Sequence, residues 1–348
     1  MNTFPTHPDQ ITVDWLSSAL GRPIHDFTVE YLGEGAGLLA WVMRLVLVSP
    51  DDGAKTIIAK FPSPSAENRA VASAFDMYQR EVGFYRNIAP HVSIRNPQCL
   101  HADIDPTSAD FVLLLEDLGH MRIGDQVAGC SLEEARVVVT SLAGLHASSW
   151  RGESLPEMLS QNNEKQIQGM VGGFESGWPV VSSRFGDVIP ASARGVGERM
   201  PGAVAGLLET MCVDPICLSH ADLRLDNIFF NKAADGEIEV ALVDWQSVCT
   251  SAPEQDLAYF LTQSVPRSVL AREDLLAVYH AELARQGVEY DITICRDRFR
   301  VSALYLLTYA VTIAGTLDLQ NERGTRLART LLGNSLAALD EIDAFELL

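Results

Sequence analysis

The chain has 348 residues, 47% of them hydrophobic and 21% charged, which excludes wholesale disorder and exceeds the commonest single-domain size. Its formal net charge of −20 argues against nonspecific binding to nucleic acid or to an anionic membrane, since both favour basic patches. Six cysteines without a CxxC pair or zinc-finger spacing read as reduced thiols in a cytoplasmic protein, and MNTFPTHPDQITVDW lacks the basic-then-apolar pattern of a signal peptide.

In chain order, residues 27–32 and 41–48 read as strands around a glycine-rich turn, GEGAG, and 56–61 reads as a third strand after the Asp-Asp-Gly turn at 51–53. The period then changes. Phe75, Tyr78, Val82 and Tyr85 recur at helical spacing within 65–88. FVLLL (111–115) predicts a buried strand, and Glu116-Asp117-Leu118 a connector after it. Ser131 and Glu134 form the S-x-x-E pattern of a capping box, opening a helix whose apolar stripe is Leu132, Ala135, Val139, Leu142 and Leu145. Residues 152–202 are rich in Gly, Ser and Pro and show no clear period. Two apolar runs, 228–230 and 238–243, flank a turn containing Asp235-Gly236 and predict a hairpin. Helical patterns fill 254–264, 268–286, 293–316 and 322–342; the apolar stretch 301–315 predicts a buried helix and not a membrane span. The expected architecture is α+β, with a β-rich part at 1–116 carrying one helix and a mainly helical part at 117–348.

The strongest chemical signal is His220-Ala-Asp222-Leu-Arg-Leu-Asp-Asn227, followed by Val-Asp244-Trp after the hairpin. Phosphoryl transfer from ATP to an alcohol needs a carboxylate to orient the hydroxyl and accept its proton. It also needs oxygen ligands for magnesium and cations or amides around the phosphates. Asp222 and Asn227 have the five-residue spacing of a kinase catalytic loop, base first and metal ligand second. The hairpin is expected to fold Asp244 back beside Asn227, giving two hard oxygen donors suited to magnesium. His101-Ala102-Asp103 repeats the first three letters but has Ser108 where the asparagine would be, so the short pattern alone carries nothing.

Three upstream features fit the same chemistry. Lys60 lies on the strand face opposite Ile57, Ala59 and Phe61, from which it can reach phosphates; a solvent-facing lysine is the alternative. Glu81 lies at the edge of the following helix's apolar stripe, placed to pair with that lysine; a surface helix charge beside Arg80 and Arg86 is the alternative. Gly33, Gly35 and Gly37 sit where backbone amides can approach phosphates, although a plain hairpin turn would look the same. His146 and His220 read as supports of the loop. Asp256 reads either as a helix N-terminal charge or as an acceptor for catalytic-loop amides.

The segments LLLEDLG (113–119), LAGLHASSW (142–150), LSHADLRLDNIFF (218–230) and LVDWQ with DLAYFL (242–246 and 256–261) resemble the aminoglycoside phosphotransferase-like kinases of the protein-kinase-like superfamily. Among these they are most similar to the ecdysteroid-kinase-like and choline-kinase-like group. The resemblance implies a bilobal fold binding ATP and Mg2+, with Asp222 as base and Asn227 and Asp244 as metal ligands. It further implies Lys60 and Glu81 as the phosphate-binding pair, Glu116, Asp117 and Leu118 as backbone contacts to adenine, and Asp256 as the acid bracing the loop. Many members carry glycine where this chain has Ala221. The short interval from Asp244 to Pro253 leaves no room for a long activation segment, which favours a small-molecule alcohol as acceptor over a protein. A non-aminoglycoside alcohol is expected, with an aminoglycoside kinase and a nucleotide-binding pseudokinase as alternatives. Acidic pocket linings would favour polyamines, and aromatic walls, with Trp178 and Phe185 as candidates, would favour apolar alcohols.

Overall fold

The computed structural model describes residues 4–32, 39–49, 53–152, 155–156, 159–234, 236–317 and 321–348. Gly33, Gly35, Gly37 and Asp235 lie outside the described residues. Contacts gather the chain into two compact units. The first comprises Met1–His91, Arg95–Met121 and Leu242–Ser247; the second comprises Val92–Ile94, Arg122–Ala241 and Val248–Leu348.

The first unit is built on a five-stranded antiparallel sheet of β1 (Asp26–Leu32), β2 (Ala40–Ser49), β3 (Gly53–Pro62), β4 (Cys99–Ile104) and β5 (Phe111–Glu116), in the order β1-β2-β3-β5-β4. Alternation decides its faces. Met43, Leu45 and Leu47 of β2, Ile57, Ala59 and Phe61 of β3, and Val112 and Leu114 of β5 share one apolar cluster. That cluster is closed by Leu16 of α1 (Val13–Leu20), a helix with no sequence expectation, capped by the Thr12 side chain and ended by Gly21 in the left-handed region. His101-Ala102-Asp103 belongs to β4, a strand also missed by the period analysis.

The helical stretch expected over 65–88 is two helices, α2 (Ala66–Ala74) and α3 (Met77–Gly83), followed by a π-helical turn at Phe84–Ile88. The break falls at Asp76, whose φ of 55° stops α2, and the wider π turn buries Phe84 and Tyr85 together.

The second unit contains β6 (Arg122–Ile123), α4 (Leu132–Ser148), α5 (Glu164–Arg184), α6 (Val196–Met211), β7 (Cys217–Ser219), β8 (Ile228–Lys232), β9 (Ile238–Leu242), β10 (Cys249–Ser251) and α7 (Glu254–Tyr259). It ends with α8 (Arg267–Leu270), α9 (Leu275–Arg285), α10 (Ile292–Thr316) and α11 (Glu322–Glu341). The capping box of α4 forms as expected, with both reciprocal hydrogen bonds present. The single helix expected over 268–286 is divided, because Asp274 accepts from the Ala277 amide and starts α9 afresh.

Residues 152–202 hold α5 and the start of α6 despite Pro179 and Pro201. Gly177 serves helix packing. A methyl group on Gly177 would lie 2.5 Å from the Val311 carbonyl oxygen, and one on Gly315 would lie 2.5 Å from the Gly177 Cα. α5 and α10 thus approach closely enough that packing overrides propensity. α10 is long and apolar enough by composition to cross a membrane, yet Leu304, Leu306, Leu307 and Val311 are fully buried within the unit.

Candidate active site

Lys60 points away from the apolar cluster, as its place in the β3 alternation requires, and is 6% exposed. Its Nζ donates to Glu81 Oε1 at 2.6 Å and to Asp244 Oδ1 at 2.8 Å. One cation is therefore shared by two carboxylates, all within the first unit. Burial opposes the charged amine, but Asp244 and Glu81 outweigh it and hold its pKa above the usual lysine range. Burial pushes the Glu81 carboxyl up, with Lys60 opposing.

Asp244 reaches this position by two devices. Its own φ is 66°, a left-handed conformation that aspartate tolerates better than most residues. The next residue, Trp245, is fully buried and stacks on Phe84 at 3.8 Å between ring centroids. That stacking attaches the Asp244 segment to the turn following Glu81's helix.

Asp222 and Asn227 lie in the second unit, in the loop between β7 and β8. Asn227 Nδ2 donates to the Asp222 carbonyl oxygen at 2.8 Å and to Asp222 Oδ2 at 3.1 Å. Both partners only accept, so the amide is fixed and its Oδ1 is turned away from them. Asp222 Oδ1 accepts from the Tyr259 hydroxyl at 3.0 Å and from Arg224 Nε at 3.1 Å.

The loop backbone is gripped from α7. Asp256 is fully buried. Its Oδ1 accepts from Ser219 Oγ and the Ala221 amide, both at 2.8 Å, and its Oδ2 from the His220 amide at 2.7 Å. Burial opposes ionisation, yet His146 and the loop donors keep this carboxyl below its usual range. His146 bridges Asp256 Oδ2, at 3.4 Å, and the Tyr279 hydroxyl, at 2.8 Å. His220 Nδ1 accepts from the Asp222 amide at 3.3 Å. Both sequence readings of Asp256 are realised, since it lies in the first turn of α7 and accepts from the loop amides.

Two loop partners carried no sequence signal. Gln126 is buried; its Oε1 accepts from the Leu225 amide at 2.8 Å and its Nε2 donates to the Gln263 carbonyl at 2.8 Å. Tyr259 falls in the DLAYFL segment, where only its apolar character was legible. Ala221 has a φ of 61°, where a Cβ is disfavoured, so glycine suits this position better. Ala221→Gly is expected to leave activity intact and to raise stability by about 1 kcal/mol at most, since glycine also gives the unfolded chain more freedom. Denaturant unfolding checks this.

In the connector, the Glu116 amide donates to the Gln98 carbonyl and the Leu118 carbonyl accepts from the Met121 amide. Those two groups are thus engaged within the first unit. The side chains of Glu116 and Asp117 pair with Arg95 and Arg44. Trp178 stacks on Phe174 and Phe185 lies under Arg329. The aromatic side chains linked to Asp222 are different ones. Tyr259 meets Tyr309 edge-on at 6.1 Å, Tyr309 meets Tyr305 at 5.8 Å, and Gln166 Nε2 donates to both Tyr305 and Tyr309 hydroxyls at 3.0 and 3.3 Å. Among the described residues, no group of three or more His, Cys, Asp or Glu is placed to hold a metal.

A five-stranded antiparallel sheet whose lysine is held by a helix glutamate, and a helical unit whose buried aspartate braces an HxDxxxxN loop, define a protein-kinase-like fold. Solved structures agree. Choline kinase from Cryptosporidium parvum Iowa II superposes with a TM-score of 0.57 at 12% identity, covering 92% of this chain and 91% of that one. The microcompartment-associated aminopropanol kinase gives 0.56 at 12% identity, covering 93% and 95%. The GDP complex of wild-type aminoglycoside 2'-phosphotransferase-IIIa gives 0.52 at 15% identity, covering 91% and 94%. No curated protein sequence matches the chain directly. The model of the ecdysteroid kinase-like family matches residues 39–176 and 196–289, well over half of the chain. The chain belongs to the ecdysteroid kinase-like family.

Proposed function

We propose that the protein transfers the γ-phosphoryl group of ATP to a hydroxyl group of a small, non-aminoglycoside molecule. The observation that carries this reading is the Lys60 amine shared by Glu81 and Asp244, because that geometry presets a buried cation for phosphate beside an acidic metal ligand. Lys60 binds phosphate oxygens, and Glu81 holds its amine in place. Asp244 and Asn227 are the magnesium ligands. Their chemistry fits, since both offer hard oxygens and Asn227 Oδ1 is turned away from its own hydrogen-bond partners. Magnesium bound there would neutralise charge on the phosphates. Gly33, Gly35 and Gly37 would cover the phosphates, and backbone groups of Glu116–Leu118 not already engaged would meet the adenine.

Asp222 orients the acceptor hydroxyl and takes its proton. As the acceptor oxygen bonds to the γ-phosphorus, the bond to the bridging β-γ oxygen breaks and ADP departs. The row formed by Tyr259, Tyr309, Tyr305 and Gln166 supports the choice of acceptor. Its members carry no charge, and Tyr259 and Tyr305 are fully buried, so the row beside Asp222 offers a polycation no carboxylate to pair with, which favours a neutral alcohol.

The test starts with thermal unfolding with and without Mg-ATP, using Asp244→Ala as control. Ligand at a hundred times its dissociation constant should stabilise the fold by about 2.7 kcal/mol, and the shift should shrink in the variant. ADP release is then measured with neutral alcohols, ethanolamine and an aminoglycoside as acceptors. Neutral alcohols are expected to lead. A magnesium-independent thermal shift would remove the metal assignment, and a clear preference for the aminoglycoside would remove the acceptor class.

A further inference from the structure

α7 presents Asp256 and Tyr259 three residues apart, hence on one face. Asp256 takes hydrogen bonds from Ser219, His220 and Ala221, and Tyr259 donates to the side chain of the next residue, Asp222. A single helical face therefore contacts four consecutive residues, from the end of β7 into the loop, three through one carboxylate and the fourth through one phenol. The helix is an unusually firm mount. Every residue from Glu254 to Tyr259 is buried, and the π-helical turn Phe260–Ser264 that continues it is buried throughout.

The Tyr259 ring is fully buried, and Tyr309 packs against it edge-on with an interplanar angle of 81°. Its hydroxyl faces a carboxylate oxygen, which can only accept, so the phenol must donate. Burial also holds the phenol far above its usual pKa, and it stays a donor. Asp222 Oδ1 thus receives two donors, the Tyr259 hydroxyl and Arg224 Nε, while among the described residues Oδ2 receives the Asn227 amide. With Oδ1 tied from two sides, the carboxylate plane is fixed and Oδ2 keeps the spare acceptor capacity.

We propose that Tyr259 is a positioning residue for phosphoryl transfer, locking the Asp222 carboxylate in the orientation that directs Oδ2 to the acceptor hydroxyl. The inference rests on reading Asp222 as the base and adds a residue that acts only through it. A hydroxyl-to-carboxylate tether of this kind contributes to turnover and not to nucleotide affinity. It has no effect once the carboxylate is gone.

The test is Tyr259→Phe, which removes one oxygen and keeps the packed ring. The probe is Mg-ATP with water as acceptor, read by ADP release, beside thermal unfolding. The kcat of Tyr259→Phe is expected to fall about 10-fold, below the full worth of a general base. The KM for Mg-ATP is expected to stay within about two-fold, as a group that never touches nucleotide requires. Tyr259→Phe combined with Asp222→Asn should be no slower than Asp222→Asn alone. A kcat unchanged by Tyr259→Phe, a loss that moves into KM, or an equal further loss in the Asp222→Asn background would each overturn the inference while leaving Asp222 as the base. Wild-type ADP release that does not depend on Asp222 would remove the base itself, and this inference with it.

Discussion

Asp222→Asn is expected to lower turnover by roughly 10²–10⁴-fold, the usual worth of a general base, while Mg-ATP still raises the melting temperature. The substituted amide is nearly isosteric, so the loop should keep its path. Its oxygen can still accept from Tyr259 and Arg224, but its nitrogen would then face the Asn227 amide, donor against donor, where a carboxylate oxygen now accepts. The deeper loss is chemical, because an amide cannot take the proton of the attacking hydroxyl. ADP release and thermal unfolding, run on the same preparations, separate the two effects. Wild-type turnover in the variant would show that another group takes the proton. Loss of the Mg-ATP shift together with turnover would show that Asp222 holds nucleotide or metal.

Asp256→Ala should be the most damaging substitution for stability. It strips the acceptor from the Ser219 hydroxyl and from the His220 and Ala221 amides, and Ser219, His220 and Ala221 are all buried. At about 1–3 kcal/mol for each buried donor left unpaired, the loss should reach about 3 kcal/mol or more, and turnover should fall with it. The pH dependence has a definite sign. In the folded protein Asp256 binds its proton less readily than in the unfolded chain. Its contribution is therefore complete above the unfolded carboxylate range, about 3.9, and disappears as pH falls through the lower folded value. Denaturant unfolding of wild type and Asp256→Ala across the acid range should show the two curves converging at low pH. A constant gap would mean that the carboxylate's charge contributes nothing and only its shape matters.

Much of the local architecture was legible because it follows short-range rules. Alternation placed Lys60 opposite Ile57, Ala59 and Phe61, and the capping box placed the start of α4. What failed did so for identifiable reasons. Asp76 and Asp274 interrupt helices whose apolar period runs on past them. In α5, Gly177 reads as loop but is needed as glycine because it lies against Val311 and Gly315 of α10, where the two helices nearly touch. Gln126 lay outside any motif, since a glutamine 99 residues from the Leu225 amide it holds leaves no trace in spacing, and Tyr259 lay in DLAYFL with nothing local to show that its hydroxyl meets Asp222.

The sequence by itself determined the chemistry on offer: the Asp222 to Asn227 interval, Asp244 at the end of a strand, and Lys60 and Glu81 in order upstream. It also carried the family, since the motifs are local and their letters survive. Tertiary structure alone decided which groups meet. It assigned the Asp244 segment to the sheet unit through the stacking of Trp245 on Phe84, and so gave Lys60 two carboxylates in place of one. It also set Tyr259 on Asp222, 37 residues apart in the chain. Such pairings depend on burial and on long-range packing, and periodicity and spacing report only on what lies within a turn or a strand.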